Sequence, residues 1–219
     1  IATAYDATLN LGLGTEGLRL SDVRARLYGG ELSGLFELRN NDGTGLFSAQ
    51  MQIHDADLAE AVAYTGLTGN GDLSTALTAS GKSIGGLVAA LSGSGTAALR
   101  NLVIPGVNAN ALEALIGRAD ALGRDIDARK TASFAPEIVT AGTFPAGNAE
   151  LAFTVAGGVL RAPPIDFDIP AATISTDFRA DLTAGTIAAE GSITYAAGEE
   201  ALVGSEPSVR FSLSGPPSN

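Results

Sequence analysis

The stretch LRLSDVRARLYGGELSGLFELRNNDGTGLFSAQMQI, residues 18–53, decides how this chain folds. Apolar residues recur mostly at every second position in three runs, Leu18 to Leu27, Glu31 to Leu38 and Leu46 to Ile53. That period places them on one face of a half-buried strand, because successive side chains of an extended backbone point to opposite sides. The parity is plainest in Leu32, Gly34, Phe36 and Leu38, and again in Phe47, Ala49, Met51 and Ile53. Between the runs sit Tyr28-Gly29-Gly30 and Asn40-Asn41-Asp42-Gly43, where Gly and Asn supply the positive φ angles that tight hairpins demand. Short connections make the runs antiparallel neighbours.

Working outward, the second half repeats the pattern in Leu151, Phe153, Val155, then Ile165, Phe167, Ile169, then Ile174 to Leu182. Ile187 to Tyr195 and Val209, Phe211, Leu213 continue it, and Asn70-Gly71 reads as one more hairpin turn. About ten strands emerge at the spacing of a meander. Pro163-Pro164 and Pro170 bracket the Ile165 to Ile169 run; proline cannot donate to a ladder, so that strand is predicted at an edge or a bend.

Helical spacing is best in Leu112, Leu115, Ile116, Ala119 and Leu122, with Asn110 as the expected cap and Glu113 at the third position. Two shorter helices are predicted, from Asp57 to Ala63 and from Ser83 to Leu91. The fold class is therefore mainly β: an antiparallel, twisted or curved meander, forming either an open groove or a sandwich, with one amphipathic helix near 110–122 and two short ones. Residues 1–66 form a first hairpin module and 67–219 a second, possible parts of one continuous domain.

Composition narrows the function. The chain has 219 residues, 13 Lys and Arg against 24 Asp and Glu, and a formal charge of −11. Nucleic acid, which requires clustered basic residues, is excluded as an expected partner. With no Cys, disulfide frameworks and thiolate metal sites are ruled out. Only 17% of residues are charged, against about 25% in ordinary soluble domains, yet no run approaches the roughly 20 apolar residues of a spanning helix. The chain opens at Ile1 without a basic and apolar leader, which reads as a segment of something longer.

Motifs that suggest chemistry each have a simpler reading. Residues 12–17, GLGTEG, spell a dinucleotide fingerprint, but that site needs a helix after the glycines and a strand pattern follows instead. Gly81-Lys82-Ser83 resembles half a phosphate loop, and Gly81 to Gly85 matches the nucleophile elbow, but the sole His, His54, lies upstream, and capping by Ser83 suffices. His54 is expected to be solvated or locally hydrogen-bonded. The acidic groups Asp55-Ala56-Asp57 with Glu60, and Asp125-Ile126-Asp127, lack the spacing and turn Gly of a calcium loop. Asp166 and Asp168 alternate with Ile165, Phe167 and Ile169 and form the wet face of a strand. No catalytic group, metal or cofactor is expected.

The apolar strand faces outnumber what three helices can hide, so another sheet, a partner or lipid must cover them. The segment LRLSDVRARLYGGELSGLFELRN (18–40), with HDADLAEAV (54–62) and GLTGNGDLSTALTASGKSIGGLVAALSGSGTAALRNLVIPGVN (66–108), resembles the C-terminal region of AsmA-family proteins of Gram-negative bacteria. The resemblance implies a periplasmic segment of an envelope protein held in the inner membrane by an anchor that this chain lacks, related to the TamB-like group. It also implies phospholipid transfer or outer-membrane biogenesis without catalysis. The expected lipid-facing residues are Leu32, Phe36, Leu38, Phe47, Met51, Ile53, Ile165, Phe167 and Ile169. Phospholipid acyl chains or an envelope-assembly protein are the expected partners; the alternative role is a structural module assisting outer-membrane protein assembly.

Overall fold

A computed structural model describes residues 3–196 and 206–216. The strands β1 (Tyr5–Gly14), β2 (Gly17–Leu27), β3 (Gly30–Asn41) and β4 (Thr44–Asp57) follow one another as hairpins. They continue into β5 (Thr68–Gly81), β6 (Ser92–Pro105) and β7 (Thr143–Ala156), then β8 (Val159–Arg161), β9 (Ile165–Ile169), β10 (Ala172–Asp181), β11 (Thr186–Tyr195) and β12 (Ser208–Gly215). All belong to one 12-stranded antiparallel sheet in which strands pair in chain order, except that β8 and β9 share one edge of β10. The protein is mainly β, and the sheet is open: among the described residues there is no second sheet.

Turn chemistry sets this order. Tyr28-Gly29, Asp42-Gly43 and Gly157-Gly158 each place two successive residues at positive φ between paired strands, which matches the twist of the strands they join. The GLGTEG segment is the β1–β2 hairpin itself, with Gly14 paired to Gly17. Pro163-Pro164 falls in the gap that divides β8 from β9, so the expected bend is present. Asn70-Gly71, however, is not a turn. Both residues lie inside β5, paired with β4 and β6, and Gly71 is buried, with the Leu58 and Leu99 side chains beside it. The reversal comes earlier, at Gly66, whose φ is +69°.

Four helices interrupt the meander: α1 (Leu58–Ala61), α2 (Ile84–Ala89), α3 (Ala111–Leu122) and α4 (Ala128–Thr140). Asp57 caps α1 by accepting from Ala59 N at 2.8 Å, and Ser83 caps α2 by accepting from Gly86 N at 3.1 Å. Helix α3 occupies the predicted span, but Asn110 makes no side-chain cap. Its φ and ψ of −106° and 25° are not the extended conformation that aims a cap. Asn108 acts instead: its Oδ1 accepts from Asn110 N at 3.0 Å while its Nδ2 donates to Ile138 O at 3.0 Å. Helix α4, with Pro136 inside it, was not among the predicted elements.

The helical excursion between β6 and β7 closes one end of the molecule. Ala109 and Ala111, with half-buried Val107, Leu112, Ile138 and Val139, pack on Leu102, Phe144, Ala146, Phe167, Ile174, Ile193 and Tyr195. This is the main core, and Phe144 has no exposed surface.

Candidate functional site: the apolar face of the sheet

Register turns the alternation of single strands into a surface. One row runs Leu11, Leu20, Phe36, Ala49, Leu77, Gly93, Val155, Leu160, Ala180, Ile187 and Gly215, crossing the sheet from β1 to β12 without a polar side chain. A second row holds Leu13, Leu18, Leu38, Phe47 and Ala79, and another Ala25, Leu32, Ile53, Leu73, Ala97 and Leu151. The row between them contains Met51, Gly95, Phe153 and the one hydroxyl of this region, Thr75, whose Oγ1 donates to Ser94 O at 3.0 Å and so spends its polarity on the backbone. Phe153 lies across Gly95, where a side chain would collide with its ring.

All nine residues expected to face lipid lie on this side. The structure divides them into two environments. Leu32, Phe36, Phe47, Met51 and Ile53 are half-buried, and Leu38 is exposed. Phe167 is only 6% exposed, enclosed in the core beneath the helical excursion, with Ile165 and Ile169 packed against it. The face is thus closed over β9 and uncovered over β1 to β4. At the uncovered corner, α2 overhangs the sheet and forms a cleft of about 430 Å³ with Leu13, Leu18, Leu38, Ile84 and Leu87 in its wall. Of these, only Leu38 is among the residues expected to face lipid; Leu13, Leu18, Ile84 and Leu87 are not. Leu13 sits in a strand that the three decisive runs did not include, and the helix residues depend on where the Gly81 to Leu91 loop folds back.

The opposite face is small and polar. It carries a concavity of about 990 Å³ between alternate residues such as Ser33, Gln50, Gln52, Ser74, Ser94 and Thr154. Beside it Asp72 joins three strands: it accepts from Asp55 N at 2.8 Å and from both terminal nitrogens of Arg100, one at 3.1 Å, and His54 Nδ1 lies 2.8 Å from its carboxylate. Arg100 also reaches Asp55 at 3.0 Å. The Arg100 hydrogen bonds, with that from Asp55 N, hold the Asp72 carboxyl well below the usual carboxylate range, and Asp72 in turn raises Arg100. His54 is exposed beside Asp72. Asp166 and Asp168 accept from Ser175 and Thr173 on the wet face of β9 and β10, Asp57 is spent on its helix cap, and Ser83 on another. Among the described residues no three His, Asp or Glu side chains converge as metal ligands.

No family model matches the sequence, and neither a curated protein nor a solved structure matches it. Among the described residues no helix is long and apolar enough to cross a membrane.

Proposed function

We propose that this chain is a non-catalytic, lipid-handling β-sheet domain of the AsmA-like kind, acting in the periplasm as part of a protein anchored in the inner membrane and serving phospholipid transfer or outer-membrane biogenesis. The observation that supports this reading is the row from Leu11 to Gly215, apolar across every strand it meets, on a face left uncovered at β1 to β4. Acyl chains need no directional partner. Each buried methylene contributes about 0.8 kcal/mol, so a tail lying along Leu13, Leu18, Leu38 and Phe36 gains several kcal/mol with no charged contact. The closed core over Phe167 anchors the sheet, and the overhang of α2 gives tails an entry between helix and strand.

The test is lipid extraction and mass spectrometry of the purified chain. Wild type carries phospholipid; Phe36→Asp and Leu38→Asp lose it while keeping the far-UV spectrum of a folded sheet. Gln50→Asp, on the opposite face, keeps it. Lipid retained at wild-type level by both apolar-face variants defeats the proposal.

A further inference from the structure

We infer that the polar face of the sheet binds a phosphate monoester on a hydroxyl-rich body, a sugar phosphate in chemical class, with Arg161 and Arg179 clasping the phosphate and the strand surface beside them holding the sugar. This face lies opposite the acyl-chain surface, and the inference does not rest on the lipid reading. Arg161 ends β8 at one wall of the concavity of about 990 Å³, followed there by Ala162 and Pro163. Arg179 stands directly opposite it on β10. Both are exposed, and among the described residues neither guanidinium has a hydrogen bond or an ion pair.

Like charges set directly opposite each other destabilise a strand pair, and this chain has 24 acidic residues with which to avoid the opposition. The nearest acids on that face do not relieve it. Asp177, two positions along β10, pairs in register with Glu190, and Asp181 accepts from Thr183 N at 3.0 Å and from Ala184 N at 2.9 Å. An oxyanion between the two guanidiniums turns the repulsion into charge-assisted hydrogen bonds, which the planar forks of arginine make well to phosphate. The net charge of −11 opposes an anion at long range, but exposed charges more than about 10 Å away are largely screened at 0.1 M salt.

The floor decides what the oxyanion is attached to. Inward from Arg161 come Thr154, Ser94, Ala76 and Gln50 in register, and the adjacent row, from Ala152 on β7 to Ser33 on β3, is likewise uncharged. Hydroxyls and amides both donate and accept, as sugar hydroxyls do. The volume falls within the roughly 300–1,000 Å³ of small-molecule sites. Because the site is open to water, its dissociation constant is expected at about 1 mM.

Titration of the 219-residue chain with glucose 6-phosphate, followed by amide NMR, tests this. Saturable shifts are expected at Arg161, Arg179, Ser94 and Thr154, with glucose and inorganic phosphate each binding about fivefold more weakly. Arg161→Gln and Arg179→Gln each weaken binding of the sugar phosphate about fivefold. Arg210→Gln, on the same face of β12, leaves it unchanged. Ser94→Ala weakens the sugar phosphate and spares inorganic phosphate. Urea unfolding of the ligand-free chain adds a second readout: Arg179→Gln keeps or raises the midpoint by removing the like-charge opposition, whereas loss of a structural arginine lowers it. The inference is overturned by shifts that never saturate, by inorganic phosphate binding as well as the sugar phosphate, by Arg210→Gln acting as strongly as Arg161→Gln, or by a lowered midpoint for Arg179→Gln.

Discussion

Single residues show where this fold has stability in reserve and where it does not. The Tyr195 hydroxyl is enclosed in the core with no hydrogen-bond partner among the described residues, and burial pushes its pKa up. An unpaired buried hydroxyl costs free energy that its removal recovers. Tyr195→Phe is therefore expected to raise the urea midpoint, by the equivalent of about 1 kcal/mol; a lowered midpoint would show that the hydroxyl is satisfied in solution. Phe167 gives the opposite case. Truncation to Ala beneath the helices leaves a cavity and costs roughly 3–5 kcal/mol, whereas Phe36→Ala, on the uncovered face, costs clearly less, and urea unfolding of the pair measures the difference. Asp72 adds a dependence on pH. Its folded pKa lies below the unfolded value of about 4, so its contribution is present above that value and is lost as the pH falls through and below it. The stability gap between wild type and Asp72→Asn should be widest near neutrality and shrink steadily below pH 4; a gap independent of pH contradicts the clasp.

Elements were legible where local chemistry and global register agree. The three hairpin runs carried both alternation and their turns, so β2, β3 and β4 could be read from residues alone, as could the shared apolar parity of Leu32 to Leu38 and Phe47 to Ile53. What hid the rest was irregularity. Asp22, Asp55 and Asn101 stand at φ values of 53°, 55° and 52° inside strands, each beside a shift of register. Such bulges invert parity along the strand and bend the sheet. A simple period-two count breaks at each, and an Asp or Asn inside an apolar run is the signal that could have marked them. Asn70-Gly71 misled for a related reason: its letters fit a turn, but both residues pair with β4 and β6 inside a continuous strand. Helix α4 was obscured by Pro136, although Asp127, which accepts from Lys130 N at 2.8 Å, and the spacing of Phe134, Ile138 and Val139 carry a helical signature. Ser83 is the simplest element-scale check. As the cap of α2, the helix that overhangs the apolar corner, its replacement by Ala should cost about 1 kcal/mol and weaken lipid retention by loosening α2. Full retention with unchanged stability would detach the helix from the site.

At the scale of the whole molecule the uncovered face becomes a measurable shape. The chain exposes 13595 Å², whereas a compact monomer of 22.0 kDa exposes about 9,300 Å² and its unfolded chain about 31,900 Å². Unfolding this sheet therefore uncovers about 18,300 Å² in place of about 22,600 Å², and since the urea slope follows the area uncovered, it should be about a fifth smaller than for a compact protein of equal mass. The same openness predicts a radius of gyration above the roughly 17 Å of a compact chain of this length, measurable by small-angle scattering on the delipidated monomer at low concentration. These two observables separate the alternatives that composition leaves standing. A sheet that curls shut on its own apolar rows would bury Leu9, Leu11, Leu13 and Leu38 against itself, restoring both the compact radius and the full slope. An open sheet keeps both anomalies until something covers the face. Adding phospholipid should then raise the unfolding midpoint by mass action on the folded state alone, and Leu38→Asp should abolish that rise. A compact radius together with a full slope in the lipid-free chain would close the face and leave acyl chains no surface to occupy.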